Sequence, residues 1–97
     1  MLPPSKIFRS PDVLFQEVSG EAVLLDLKSE SYFGLNRIGT RIWRLLESSS
    51  DPQALLVALM DEFDVGREQL ERDVGRLIGE LTAAGLVKLE PGDDNRS

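Results

Sequence analysis

The chain of 97 residues has no cysteine and no histidine. Without cysteine it has no disulfide and no thiolate nucleophile, and without either residue the usual zinc-ligand sets cannot be assembled. The missing histidine also removes the commonest general base, so Ser–His and Cys–His catalysis are excluded within the chain. Positive charge is scarce: 11 Lys and Arg stand against 17 Asp and Glu, giving a formal net charge of −6 and a pI near 4.5. Phosphate backbones are held by clustered cations, so this balance argues against a nucleic-acid partner. No apolar run approaches the roughly 20 residues of a membrane span. The opening Met1-Leu2-Pro3-Pro4-Ser5-Lys6 lacks the apolar core of a signal peptide. These absences lead to the expectation of a cytoplasmic protein with no membrane partner, no metal and no cofactor.

What is present suits one small domain. The apolar fraction of 41% and charged fraction of 29% are ordinary for a globular chain. At this length only about 60–65% of the unfolded surface is buried, so the core is modest. Residues 1–11 carry Pro3, Pro4 and Pro11 without a period and read as an irregular arm. The domain proper is expected over 12–89. The polar 90–97 stretch, with Pro91, Gly92 and two aspartates, reads as a flexible tail.

The first half of the domain reads as β. Val13 to Val18 alternates weakly, and Ser19-Gly20 supplies a two-residue hairpin loop. In Ala22 to Leu27 the residues Val23, Leu25 and Leu27 share one face and Ala22, Leu24 and Asp26 the other, with Leu24 keeping the second face from being fully wet. After the polar Lys28-Ser29-Glu30, the third strand is the short aromatic run Ser31 to Leu35. Tyr32 and Phe33 point to opposite faces of it. One of them therefore faces away from the main core contact, either under a helix or along a groove.

The second half reads as α. Asn36 is a good N-cap for a helix to about Glu47, with Ile38, Ile42, Leu45 and Leu46 in one stripe, Trp43 beside it and Arg37, Arg41 and Arg44 on the wet side. Gly39 inside that helix costs roughly 1 kcal/mol against Ala, which a close approach by another element would explain. Asp51-Pro52 opens a second helix with Leu55, Leu56, Leu59, Met60 and Phe63 on its apolar face. A third helix spans about Arg67 to Ala84, with a stripe of Leu70, Val74, Leu77, Ile78 and Leu81 and a terminating Gly85. Leu86 to Leu89 is β-like, a docked tail or wing.

The expected fold class is therefore α+β, winged helix-turn-helix-like, with a three-stranded antiparallel sheet followed by three helices. That fold evokes DNA binding, but Arg67, Arg72 and Arg76 on the third helix meet Glu68, Glu71, Asp73 and Glu80, a poor match to the major groove. A DNA-binding regulator is one alternative reading. A structural or dimerisation domain that uses an exposed sheet edge on a second copy is another.

Several stretches together resemble the PqqD-like family: Val23-Leu24-Leu25-Asp26-Leu27, Tyr32-Phe33-Gly34-Leu35-Asn36, Gly39, Ile42-Trp43 and Leu45-Leu46, followed by Phe63-Asp64-Val65, Asp73-Val74, Leu81 and Gly85-Leu86-Val87. The resemblance covers roughly residues 11–89. It implies a non-catalytic recognition element for ribosomally made, post-translationally modified peptides, which captures the leader segment of a precursor and presents it to a modifying enzyme. In the founding case that enzyme is a radical SAM protein of pyrroloquinoline quinone (PQQ) biosynthesis; relatives serve lasso-peptide and other pathways, where a leader peptidase is a further candidate partner. The Tyr-Phe-Gly before Leu-Asn departs from the founding members and is closer to stand-alone lasso-type elements. The implied mode adds the leader as a strand on the third strand, in a groove closed by the third helix. The peptide-binding residues it implies are Leu27, Ser31, Tyr32, Phe33 and Gly34 on the strand side, and Asp73, Arg76, Leu77 and Glu80 on one flank of the helix. Two of these have plainer readings beside that role. By its place in the stripe Leu77 reads as core, and Asp73 reads as a carboxylate near its own helix start.

Overall fold

The computed structural model describes residues 5–90. Strands β1 (Lys6–Arg9), β2 (Val13–Val18), β3 (Glu21–Asp26) and β4 (Ser31–Leu35) precede helices α1 (Arg37–Leu45), α2 (Pro52–Glu62) and α3 (Arg67–Ala83), and β5 (Val87–Glu90) follows. The antiparallel meander β2-β3-β4 and the three helices agree with the α+β reading. The N-terminal arm does not stay irregular. Lys6–Arg9 pairs antiparallel with β5, Ile7 opposite Leu89, in a second sheet of two strands. Ile7 is fully buried and its N–H donates to the Ser50 carbonyl at 2.9 Å. Four residues are too few to show a period, and their partner lies at the far end of the chain. Residues 1–4 and the 91–97 part of the expected tail lie outside the described residues, while Glu90 closes β5.

Local chemistry explains the turns. Ser19 and Gly20 both have positive φ, 54° and 84°, as a type I′ hairpin loop requires. The β3–β4 turn is organised by Asp26, a buried carboxylate that accepts from the Lys28 N–H at 3.2 Å and the Ser29 hydroxyl at 2.8 Å. This turn delivers β4 in register, with Leu24 opposite Phe33 and Val23 opposite Gly34. Asp26→Ala strips two donors of their acceptor and is expected to cost about 1–3 kcal/mol. Urea unfolding checks this: an unchanged midpoint would mean that the turn holds itself.

The helix caps follow the sequence. Asn36 Oδ1 accepts from the Gly39 N–H at 2.8 Å, and Asp51 Oδ1 from the Gln53 N–H at 3.0 Å. At the end of α3, Gly85 (φ 78°) donates to the Thr82 carbonyl and Leu86 to the Leu81 carbonyl, the paired bonds of a Schellman motif. Arg41 and Glu62 form a bidentate pair, both contacts 2.7 Å, that ties α1 to the end of α2. The hydrogen bond from Arg41, reinforced by its charge and opposed by partial desolvation, holds the Glu62 carboxyl below its usual range.

The core takes the less apolar of the two faces of β3. Ala22, Leu24 and Asp26 are the buried face of β3, whereas Val23 and Leu27 on the other face are 44% and 51% exposed. Helix α1 lies on β3 and β4, and Ile42, Trp43 and Leu46 join Leu24 and Leu35 in one apolar cluster. Trp43 is buried in that cluster. Leu55, Leu56 and Leu59 of α2 and Leu70, Val74, Ile78 and Leu81 of α3 complete it.

Candidate peptide-binding groove

β4 ends the order β2-β3-β4, so among the described residues its outer edge has no strand partner. An unpaired edge offers alternate N–H and C=O groups to an incoming strand. Beside this edge runs a cleft of about 480 Å³, with Phe33, Gly34 and Leu35 on one wall and Asp73, Arg76, Leu77 and Glu80 of α3 on the other. Ile38, Gly39 and Ile42 of α1, together with Asn36, also line it. Its lining combines apolar side chains with a charged rim.

Gly39 explains how α3 comes so near. A Cβ built there would meet Leu35 Cδ2 at 3.2 Å and Leu77 Cδ2 at 3.3 Å, so a larger residue would push against a groove side chain. Leu77 sits at the margin of the α3 stripe, half-buried, while Leu70, Val74, Ile78 and Leu81 are fully buried. Its place is thus both against the core and along the cleft. Asp73 is not at the helix start and is not free: it accepts from Gln69 Nε2 at 3.0 Å and lies 3.7 Å from Arg76.

Six of the residues implied by the resemblance line this cleft: Phe33, Gly34, Asp73, Arg76, Leu77 and Glu80. Leu27, Ser31 and Tyr32 do not line it. Leu27 lies in the turn after β3, Ser31 opens β4, and Tyr32 stands 75% exposed on the opposite face of the sheet. Sequence reasoning missed Asn36, Ile38, Gly39 and Ile42 as cleft residues, although the glycine inside α1 pointed there. The cations of α3 are committed locally, Arg67 to Glu71, Arg72 to Gln69 and Arg76 to Asp73. That face of α3 is a mixed-charge surface, unlike the basic stripe of a DNA reader.

The family model for coenzyme PQQ synthesis protein D (PqqD) matches residues 21–87. The chain belongs to the PqqD family. Among solved structures, it is similar to TbiB1 in complex with the TbiA(beta) leader peptide, at 36% identity over 90% of this chain and 99% of that one, with a TM-score of 0.76. It is also similar to lasso peptide synthetase B1 complexed with the leader peptide, at 28% identity, 87% and 99% coverage and a TM-score of 0.71. Among curated proteins none matches. Within this PqqD-family chain the residues that line the groove all lie inside the matched segment, and β1, the arm strand, lies outside it. No helix among the described residues is long and apolar enough to cross a membrane.

Proposed function

We propose that this PqqD-family chain captures the leader segment of a ribosomally made precursor peptide as an added strand on β4 and presents it to a modifying enzyme. One observation carries the reading: the unpaired β4 edge opens onto a groove walled by α3, in a chain that is similar to two solved leader-peptide complexes. Main-chain hydrogen bonds to β4 supply affinity, and pockets for alternate side chains supply selectivity. Ordering a flexible leader costs free energy, which suits a module that must also release its cargo. A dissociation constant of micromolar or tighter is expected, about −8 kcal/mol at 1 μM. The module leaves bond-making to its partner, since it has no cysteine or histidine to supply a nucleophile–base pair. It works in the cytoplasm, where precursors are made. The partner is a maturation enzyme of a lasso-type or PQQ-type pathway, a leader peptidase or a radical SAM protein respectively.

A titration of isotope-labelled protein tests this, using leader peptides from short reading frames beside the gene. Shifts confined to β4, the start of α1 and the Asp73–Glu80 flank of α3 are expected. Shifts with duplex DNA, or on dilution alone, with none from any leader, would overturn the reading.

A further inference from the structure

The α3 groove receives only half of the side chains of an added strand. Strand side chains alternate between faces, so a peptide on β4 must aim every second residue at the outer face of the sheet. Phe33 and Leu35 point inward with buried Leu24 and Ala22, leaving Tyr32 and Gly34 as the outer positions of β4. Gly34 is exposed, and a Cβ built on it would meet nothing within 4 Å. Its cross-strand neighbour Val23 is correspondingly left 44% exposed, with Gln16 of β2 beyond it.

The backbone does not require this glycine. Its φ is not positive, and the β3–β4 register runs through it without a bulge. Glycine weakens a strand interior, and where no bulge or bend needs it, it marks a place that a ligand or another backbone approaches closely. The hollow above it has a volume of about 800 Å³ and is lined by Gln16, Val18, Val23, Gly34 and Asn36 among others. It shares Gly34, Leu35 and Asn36 with the α3 groove, so one peptide strand along β4 borders both.

We infer that Gly34 is a specificity slot: the peptide residue facing it carries a large apolar side chain, which lies across the glycine onto Val23 beside Tyr32. This rests on the added-strand reading above and deepens it. A large side chain in that position covers the glycine and buries the Val23 surface, as cross-strand aromatic–glycine pairs do. Burial of such a side chain is worth about tenfold or more in affinity.

A displayed library of random 15-residue peptides, selected in parallel on the wild-type protein and on Gly34→Val, tests the slot. Valine suits a strand and fits the open space, and circular dichroism checks that the variant folds. Val23→Gln, which makes the floor of the slot polar without changing any residue of β4, serves as the second variant. Peptides selected on the wild type are expected to share one position with a large apolar residue. Each is expected to lose about tenfold or more in affinity on Gly34→Val, whereas its alanine counterpart at that position loses little. Identical preferences on wild type and both variants, in peptides that still fail on Leu77→Glu, would overturn the slot and leave leader recognition standing. Selected peptides that bind Leu77→Glu as well as wild type would overturn both.

Discussion

Leu77→Glu is expected to cost about 2–4 kcal/mol of peptide binding, on the order of 100-fold in Kd, with the fold preserved. Leu77 is half-buried and its Cδ2 stands over Gly39 of α1, along the cleft. An apolar side chain of a bound strand would rest there. A carboxylate in its place must lose water when the peptide arrives, without a partner to compensate. It also joins Asp73 and Glu80 on the same flank, and like charges at helical i, i+3 and i, i+4 spacing repel. Leu77→Met keeps the volume and apolarity and is expected to bind nearly as the parent does. Isothermal titration calorimetry with a cognate leader separates these outcomes, and an unchanged Kd for the glutamate variant would move the binding surface away from α3.

Trp43→Ala carries the largest expected loss of stability, about 3–5 kcal/mol. The indole is 2% exposed and belongs to the cluster in which α1 meets the sheet. Arg9 lies 5.3 Å above its ring, so the substitution also removes a cation–π contact to β1, while the bond Arg9 donates to the backbone carbonyl of residue 43 at 3.4 Å is left in place. For a chain of this size each kcal/mol is worth about 4–8 °C in Tm. A fall of about 20 °C is therefore expected. Circular dichroism must report it, since Trp43 is the only tryptophan and its fluorescence goes with it. A fall of only a few degrees would mean that α1 is held chiefly by its other contacts.

The elements read best from the sequence were those whose chemistry is local. Asn36, Asp51-Pro52, Ser19-Gly20 and Gly85 each act within a few residues, and each does in the fold what its type suggested. What escaped was non-local. β1 exists because Ile7 reaches the core and pairs with Leu89 across the whole chain, and no window along the sequence contains both strands. The core face of β3 was not legible for a related reason. Val23, Leu25 and Leu27 are the more apolar trio, yet Asp26 with its own turn donors can be buried, and α1 settles on Ala22 and Leu24 instead.

The candidate groove was half legible. The resemblance supplied β4 and a flank of α3, but choosing the flank needed the placement of α3, whose Leu77 lies so close to Gly39 that a Cβ there would meet it at 3.3 Å. Tyr32 illustrates the limit of the alternation rule. Alternation says that Tyr32 and Phe33 face opposite ways, and only the placement of α1 decides that Phe33 turns toward the cleft.

Residue-resolved amide hydrogen exchange of β4, with and without a bound leader peptide, reports directly whether the leader adds as a strand. A strand added to the β4 edge pairs the amides that point outward from it, so alternate amides within Ser31–Leu35 are expected to slow markedly on binding while their inward-paired neighbours change little. A leader that binds and leaves every amide of Ser31–Leu35 exchanging at its free rate would contradict strand addition and place recognition elsewhere on the molecule.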